Sequence, residues 1–180
     1  MLQVTIPETE LFDEETSEFI GIKRHTLNLE HSLVSISKWE SKWNKPFLST
    51  RDKTTEEVID YIRCMTVTQN VDPNVYLALP DYVYEEVERY INEPMTASWF
   101  SDNGKSGSTS EAVTSETIYY WMISLQIPVE FQRWHLNRLL ALIRYCSLKN
   151  APEKKMTKSE TLKMYRELNE QRKREMNTRG

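Results

Sequence analysis

At 180 residues the chain is long enough for one domain with a substantial core, and 39% apolar residues with only four glycines exclude a linker or low-complexity chain. No apolar run approaches the roughly 18 residues of a membrane span, and both cysteines, Cys64 and Cys146, lie in apolar helical patterns that argue against a disulfide framework. The net charge of −4 is uneven: residues 149–180 hold ten Lys and Arg against five Asp and Glu, which leaves −9 for residues 1–148.

The N-terminal residues predict a short β-hairpin, approximately 2–23. Two runs typical of strands, 2–6 (LQVTI) and 19–23 (FIGIK), are separated by the acidic stretch 7–18. The acidic start also lacks the basic residues and apolar centre of a signal peptide, so we expect the protein to remain in the cytoplasm in which it is made.

Helical patterns follow the hairpin. Between Leu29 and Trp43, apolar residues recur at the three- and four-residue spacings of one helical face: Leu33, Ile36, Trp39 and Trp43. Pro46 ends this helix. Thr54 with Glu57 three residues later forms a capping-box pattern, which predicts the start of a second helix.

Two further helices are separated by a glycine- and serine-rich loop. Asp72 and Pro73 predict a short turn or helix, and the helix after Pro80 is expected over Asp81–Asn92. Residues 101–110 (SDNGKSGSTS) indicate a flexible loop, and the next helix should begin at Thr114 or Ser115.

Residues 118–148 form the bulkiest part of the chain, and Pro128 should divide them into two helices. The second is apolar on much of its circumference, through Phe131, Trp134, Leu136, Leu139, Leu140, Leu142, Ile143 and Cys146. So broad an apolar face predicts a helix at the centre of a bundle. The predicted fold is therefore mainly α: a helical bundle, residues 1–150, with the short N-terminal hairpin.

Residues 151–180 predict a protruding basic C-terminal helix. Thr157 and Glu160 form another capping-box pattern. The apolar line that follows is thin, comprising Leu162, Tyr165, Leu168 and Met176. So narrow a stripe would hold the helix only loosely to its own core, and docking on a partner is its other natural use.

Patterns of catalysis and metal binding are weak. The histidines and cysteines show no metal-ligand spacing, and no cofactor is expected. His135 could serve as a base, but a hydrogen-bonded histidine at the edge of the core is the more frequent case. The segment 104–108 (GKSGS) lacks the spacing and preceding strand of a phosphate loop. We therefore predict a protein that is not an enzyme.

The basic arm permits three interpretations: a solvated helix, a protein-docking helix, or a nucleic-acid-binding helix. Interspersed acids and an acidic body disfavour nucleic acid. The aromatic clusters Trp39/Trp43 and Tyr119/Tyr120/Trp121 could be interface anchors, although core packing is expected for at least half of them.

Several segments resemble a family of small proteins encoded in the tail gene clusters of long-tailed bacteriophages, regarded as tail assembly chaperones. They are 29–48 (LEHSLVSISKWESKWNKPFL), 54–66 (TTEEVIDYIRCMT), 119–150 (YYWMISLQIPVEFQRWHLNRLLALIRYCSLKN), 154–160 (KKMTKSE) and 166–180 (RELNEQRKREMNTRG). The resemblance implies binding to the tape measure protein and other tail proteins in the host cytoplasm, keeping the tape measure soluble while tail tube subunits assemble around it.

The expected partner-binding residues combine the aromatic clusters with the basic arm: Trp39, Trp43, Trp121, Trp134, Lys163, Tyr165, Arg166, Arg172, Lys173 and Arg174. A homo-oligomer is compatible with this role, and no membrane association is expected. The alternatives are a virion structural protein, such as a tail completion or connector component, and a nucleic-acid-binding protein.

Overall fold

The computed structural model describes residues 1–13, 17–98, 112–151 and 158–176, which are mainly α-helical with short strands, as predicted. The strands are β1 Leu2–Ile6, β2 Thr9–Asp13, β3 Glu18–Ile22 and β4 His25–Leu29. The α-helices are α1 Leu33–Trp43, α2 Thr55–Met65, α3 Asp81–Asn92, α4 Ser115–Ser124, α5 Leu136–Asn150 and α6 Lys158–Met176. Two 3-10 helices span Pro73–Ala78 and Val129–Arg133. The chain divides into two compact units, Met1–Ser147 and Leu148–Gly180.

The four strands form two antiparallel two-stranded sheets, which follow one another along the same ribbon. β1 pairs with β4 from Leu2 opposite Leu29, and β2 pairs with β3 in the same continuous register. The two ladders are interrupted at Pro7, whose ring nitrogen has no hydrogen to donate. One face of the β1–β4 ladder is buried. The buried residues alternate along each strand: Val4, Ile6, Leu27 and Leu29.

The predicted hairpin was wrong in its pairing. Residues 2–6 do not pair with 19–23; they pair with β4, in a region for which a strand was not predicted. β4 shows the alternation of a half-buried strand, since Leu27 and Leu29 face the core while Thr26 and Asn28 face outward. The acidic stretch, expected as a connection, also contributes β2.

Helix α1 lies at the centre of the first unit. Its Leu33, Ile36 and Trp39 are completely buried, as the predicted apolar face requires. The helix packs against α2, against α4 and against the 3-10 helix Val129–Arg133. Ser32 begins it, exchanging side-chain hydrogen bonds with Ser35 in a reciprocal cap.

The prediction that the second helix of the bulky region is the central element was wrong. Val129–Arg133 forms a separate 3-10 helix, and α5 begins only at Leu136, where the backbone N–H donates to the carbonyl of His31. Only three residues of α5 are buried: Leu136, Leu139 and Ile143. The central position belongs to α1 because α1 contacts elements on several sides.

Helix ends in the rest of the first unit follow the predicted local signals. Thr54 and Glu57 form the capping box of α2. Asp72 caps the 3-10 helix that follows it, and Thr114 caps α4. The loop at residues 101–110 lies outside the described residues, as does Thr157 of the predicted second capping box.

Candidate functional site

Trp39 and Trp43, two of the residues predicted to contact a partner, are neighbours on α1 with ring centroids 6.2 Å apart. Trp39 is 0% exposed and its indole N–H donates to the carbonyl of Glu57, 2.9 Å away. Trp43 is half-buried and donates its indole N–H to Asp60. The burial of Trp39 places it in the core, which leaves it no surface for a partner.

Trp121 and Trp134 are both half-buried and line different cavities. The ring of Trp134 is stacked on Phe131, with centroids 4.2 Å apart, and the guanidinium of Arg138 lies 4.1 Å from the Trp134 centroid. The four tryptophans therefore do not form one continuous contact surface.

Helix α6 exposes both its apolar and its basic side chains. Leu162, Tyr165 and Leu168 are 60%, 55% and 37% exposed, and they recur every three residues, which keeps them near one face. The predicted basic contacts Lys163, Arg166 and Arg172 are also exposed. The side chains of Lys173 and Arg174 lie outside the described residues.

His135 lies beside a second buried histidine, His31, with ring centroids 5.1 Å apart. His135 donates from Nε2 to the carbonyl of Tyr90 at 3.0 Å, and its Nδ1 accepts the backbone N–H of Asn137 at 3.3 Å. His31 Nδ1 lies 2.5 Å from the hydroxyl of Tyr61. Both ring nitrogens of His135 are thus engaged in structural hydrogen bonds.

The protonation of this histidine pair is controlled by burial. Burial, followed by the charge of neighbouring His135, lowers the pKa of His31 to about 3. Burial also lowers the pKa of His135 below its ordinary value, against the opposing influence of its hydrogen bond to Tyr90. The pair is neutral at physiological pH, and its geometry matches the interpretation of His135 as a hydrogen-bonded histidine at the edge of the core.

Three other exposed residues, Phe12, Phe19 and Ile123, were not selected from the sequence, whereas Tyr120 was named there in an aromatic cluster. Phe12 and Phe19 face each other across β2 and β3, with ring centroids 5.1 Å apart, and both are exposed. Tyr120 and Ile123 are exposed on α4, three residues apart. No alternation in the sequence marks the two phenylalanines, because each adjoins another apolar residue, Leu11 or Ile20. No sequence signal separates Tyr120 from the half-buried Tyr119.

The described residues contain no group of three or more His, Cys, Asp and Glu side chains placed to hold a metal ion. None of the helices described has both the length and the apolar character needed to cross a membrane. The strongest feature that remains is the exposed apolar and basic surface of α6. Comparison with family models, curated proteins and solved structures gave no match to this chain.

Proposed function

We propose that this protein is a tail assembly chaperone of a long-tailed bacteriophage, which binds the tape measure protein in the host cytoplasm. The identity comes from the resemblance of segments such as 29–48, 54–66 and 119–150 to that family, and the structural observation that supports a binding role is the exposed apolar line of α6, set among exposed basic side chains. The proposed arrangement is a helical bundle, residues 1–150, with residues 151–180 as a protruding basic arm that contacts the client.

The energetics of α6 favour docking on another chain. An isolated helix gains little stability in water from its own hydrogen bonds, and most helical stability in proteins comes from packing an apolar face. Leu162, Tyr165 and Leu168 leave that face in solvent. Burying three such side chains on a client would contribute roughly 5–8 kcal/mol of gross transfer free energy, before the entropic cost of association.

The charge of α6 suits a contact that must later be released. Lys163, Arg166 and Arg172 are exposed, so their attraction to an acidic client is screened by salt and individually weak. Such charges accelerate encounter more than they strengthen the complex. A chaperone that leaves as tube subunits polymerise needs this combination of fast association and modest affinity.

Co-expression with a phage tape measure protein tests the proposal. We expect the tape measure to become soluble and to copurify with the chain. Replacing Leu162, Tyr165 and Leu168 by Ser should return it to the insoluble fraction. The matched control replaces Val67 and Leu77 by Ser, since both are exposed apolar residues of the first unit.

Two results would contradict the proposal. The first is a tape measure protein that is equally insoluble with and without this chain. The second is recovery of the chain in purified particles at a fixed copy number, which would favour a virion structural protein because a chaperone is not retained.

A further inference from the structure

A groove lies between α2, α3 and the segment 45–53 that precedes α2. Its volume is about 380 Å³. We call it the α2–α3 groove. Its apolar and aromatic lining consists of Phe47, Val58, Tyr61, Ile62, Tyr84, Val87 and Ile91. Three charged residues, Arg51, Lys53 and Glu88, also line it.

The size and lining of the groove suit an apolar side chain. Small-molecule sites in proteins generally occupy about 300–1,000 Å³ and are lined mainly by apolar and aromatic groups with few polar ones. The α2–α3 groove lies at the lower end of this range. It therefore accommodates a side chain such as Leu or Phe but not a whole helix, and a helical partner would insert one residue while lying across the opening.

The two cations of the groove have no carboxylate partner within salt-bridge distance in the part of the chain that the structure describes. Lys53 Nζ lies 4.3 Å from the ring centroid of Phe47 and donates to the carbonyl of Thr50 at 2.5 Å. Nearby Glu57 is already bound to Lys45, with 2.5 Å between Nζ and Oε1. Arg51 is exposed.

The electrostatic state of Lys53 also favours an incoming anion. Burial lowers the pKa of Lys53, while the charge of Glu57 acts in the opposite direction. A carboxylate placed beside Arg51 and Lys53 would stabilise the ammonium form. Glu88, on α3, repels a carboxylate and directs it toward the segment that holds the two cations.

We propose that the α2–α3 groove binds an apolar side chain of the client with an adjoining carboxylate beside Arg51 and Lys53. This inference rests on the proposed function for the client's identity, and it specifies the chemistry of the client segment: an apolar residue with a carboxylate beside it. The exposed Lys and Arg side chains of α6 would also attract a negatively charged client segment.

A fragment titration tests the chemistry of the groove without a client. Phenylacetate combines an aromatic ring with a carboxylate, and phenylacetamide is its neutral analogue of similar shape. Binding is followed through methyl NMR signals of Val58, Ile62, Val87 and Ile91. We expect saturable shifts with phenylacetate and affinity for phenylacetamide weaker by about tenfold.

Two variants locate the fragment. Arg51→Glu should weaken phenylacetate binding about tenfold or more, whereas Arg24→Glu, the same charge change at an exposed arginine outside the groove, should leave it unchanged. Val58→Trp should fill the groove and abolish binding of both fragments. If Val58→Trp fails to fold, comparison of Arg51→Glu with Arg24→Glu still shows whether the fragment binds in the groove. Equal affinity for the two fragments, or equal loss in both arginine variants, overturns the inference.

Co-expression with the tape measure protein then tests the occupant. Arg51→Glu should reduce the soluble client relative to Arg24→Glu. A client kept soluble equally well by both variants overturns the groove as a client site while the proposed function stands. A client that is insoluble even with the unaltered chain overturns the proposed function. The fragment titration then still tests whether the groove binds an apolar group with a carboxylate. Self-association that Arg51→Glu abolishes would instead assign the groove to a second copy.

Discussion

The imidazole rings of His31 and His135 meet edge to face inside the first unit, although more than a hundred residues separate them in the chain. An antiparallel bridge between Ser32 and His135 joins the two segments, and the N–H of Leu136 donates to the carbonyl of His31 at 2.8 Å. A proton on either ring would be desolvated and would face the other histidine. The contact therefore makes folding sensitive to pH.

We predict that stability falls as the pH is lowered from about 6.5 toward 5. The unfolded chain binds a proton at His31 near its ordinary pKa of 6.5, whereas the folded protein does so only near 3. The unfolded state thus binds more protons throughout this interval, and the contribution present above pH 6.5 is progressively lost below it. At pH 5 the loss from His31 alone is about 2 kcal/mol in the free energy of unfolding.

Urea unfolding followed by tryptophan fluorescence at pH 7, 6 and 5 measures this loss. The pH interval is restricted because carboxylates begin to titrate below it. His31→Gln should reduce the dependence of the unfolding free energy on pH. His25→Gln, at a strand residue that is not buried, should leave that dependence unchanged. An identical slope in the unaltered protein and in His31→Gln would refute the assignment.

Replacing the buried Glu40 should be costly. Its Oε1 accepts the backbone N–H of Phe47 at 2.8 Å and its Oε2 accepts that of Ser115 at 2.7 Å, joining α1 to the first turn of α4. Glu40→Ala leaves two buried N–H groups without a partner, and we expect a loss of about 3 kcal/mol in urea unfolding. Glu85→Ala, at an exposed position on α3, should change stability by less than about 0.5 kcal/mol. Similar values for the two variants would show that Glu40 has no such role.

Trp39 should contribute to stability and not to client binding. Trp39→Phe removes the hydrogen bond to the carbonyl of Glu57 and leaves space in the core, for an expected loss of about 2 kcal/mol. Trp43→Phe should cost less because Trp43 is only half-buried. Client solubility per folded molecule should be unchanged for Trp39→Phe, and a selective loss of client with normal stability would contradict this assignment.

The apolar residues of α6 should show the opposite behaviour. Replacing Leu162 and Leu168 by Ser should shift the unfolding free energy of the first unit by less than about 0.5 kcal/mol, since both side chains are exposed. Urea unfolding followed by tryptophan fluorescence reports on this unit, because the described tryptophans all belong to it. A loss above about 2 kcal/mol would mean that these residues stabilise the protein's own fold.

Local signals predicted the helix boundaries well. The capping box of Thr54 and Glu57, the placement of Asp81–Asn92 after Pro80, and the start of α4 at Ser115 with Thr114 as its cap all match the structure. These features depend on residues three or four positions apart, so both interacting groups can be recognised within one short stretch of sequence. The ribbon was predicted less well because strand pairing joins distant segments and because Leu27 and Leu29 also suit the start of a helix.

The predicted partner-binding residues also depend on long-range packing that local sequence patterns do not specify. A Trp on an apolar helical face is equally consistent with a core and with an exposed anchor, and only the packing of α2 against α1 decided that Trp39 is buried. Arg51 and Lys53 were not predicted as binding residues from the sequence, because their groove is formed by three segments that meet only in the folded chain.

By itself, the sequence determined the mainly helical class, the capped helix ends and the uneven charge, since these follow from composition and near-neighbour chemistry. Tertiary structure alone decided that α1 is central, that His31 meets His135, and that Glu40 joins α1 to α4. The physical reason is that burial and long-range hydrogen bonding depend on which distant segments exclude water from one another, and no local pattern specifies that choice.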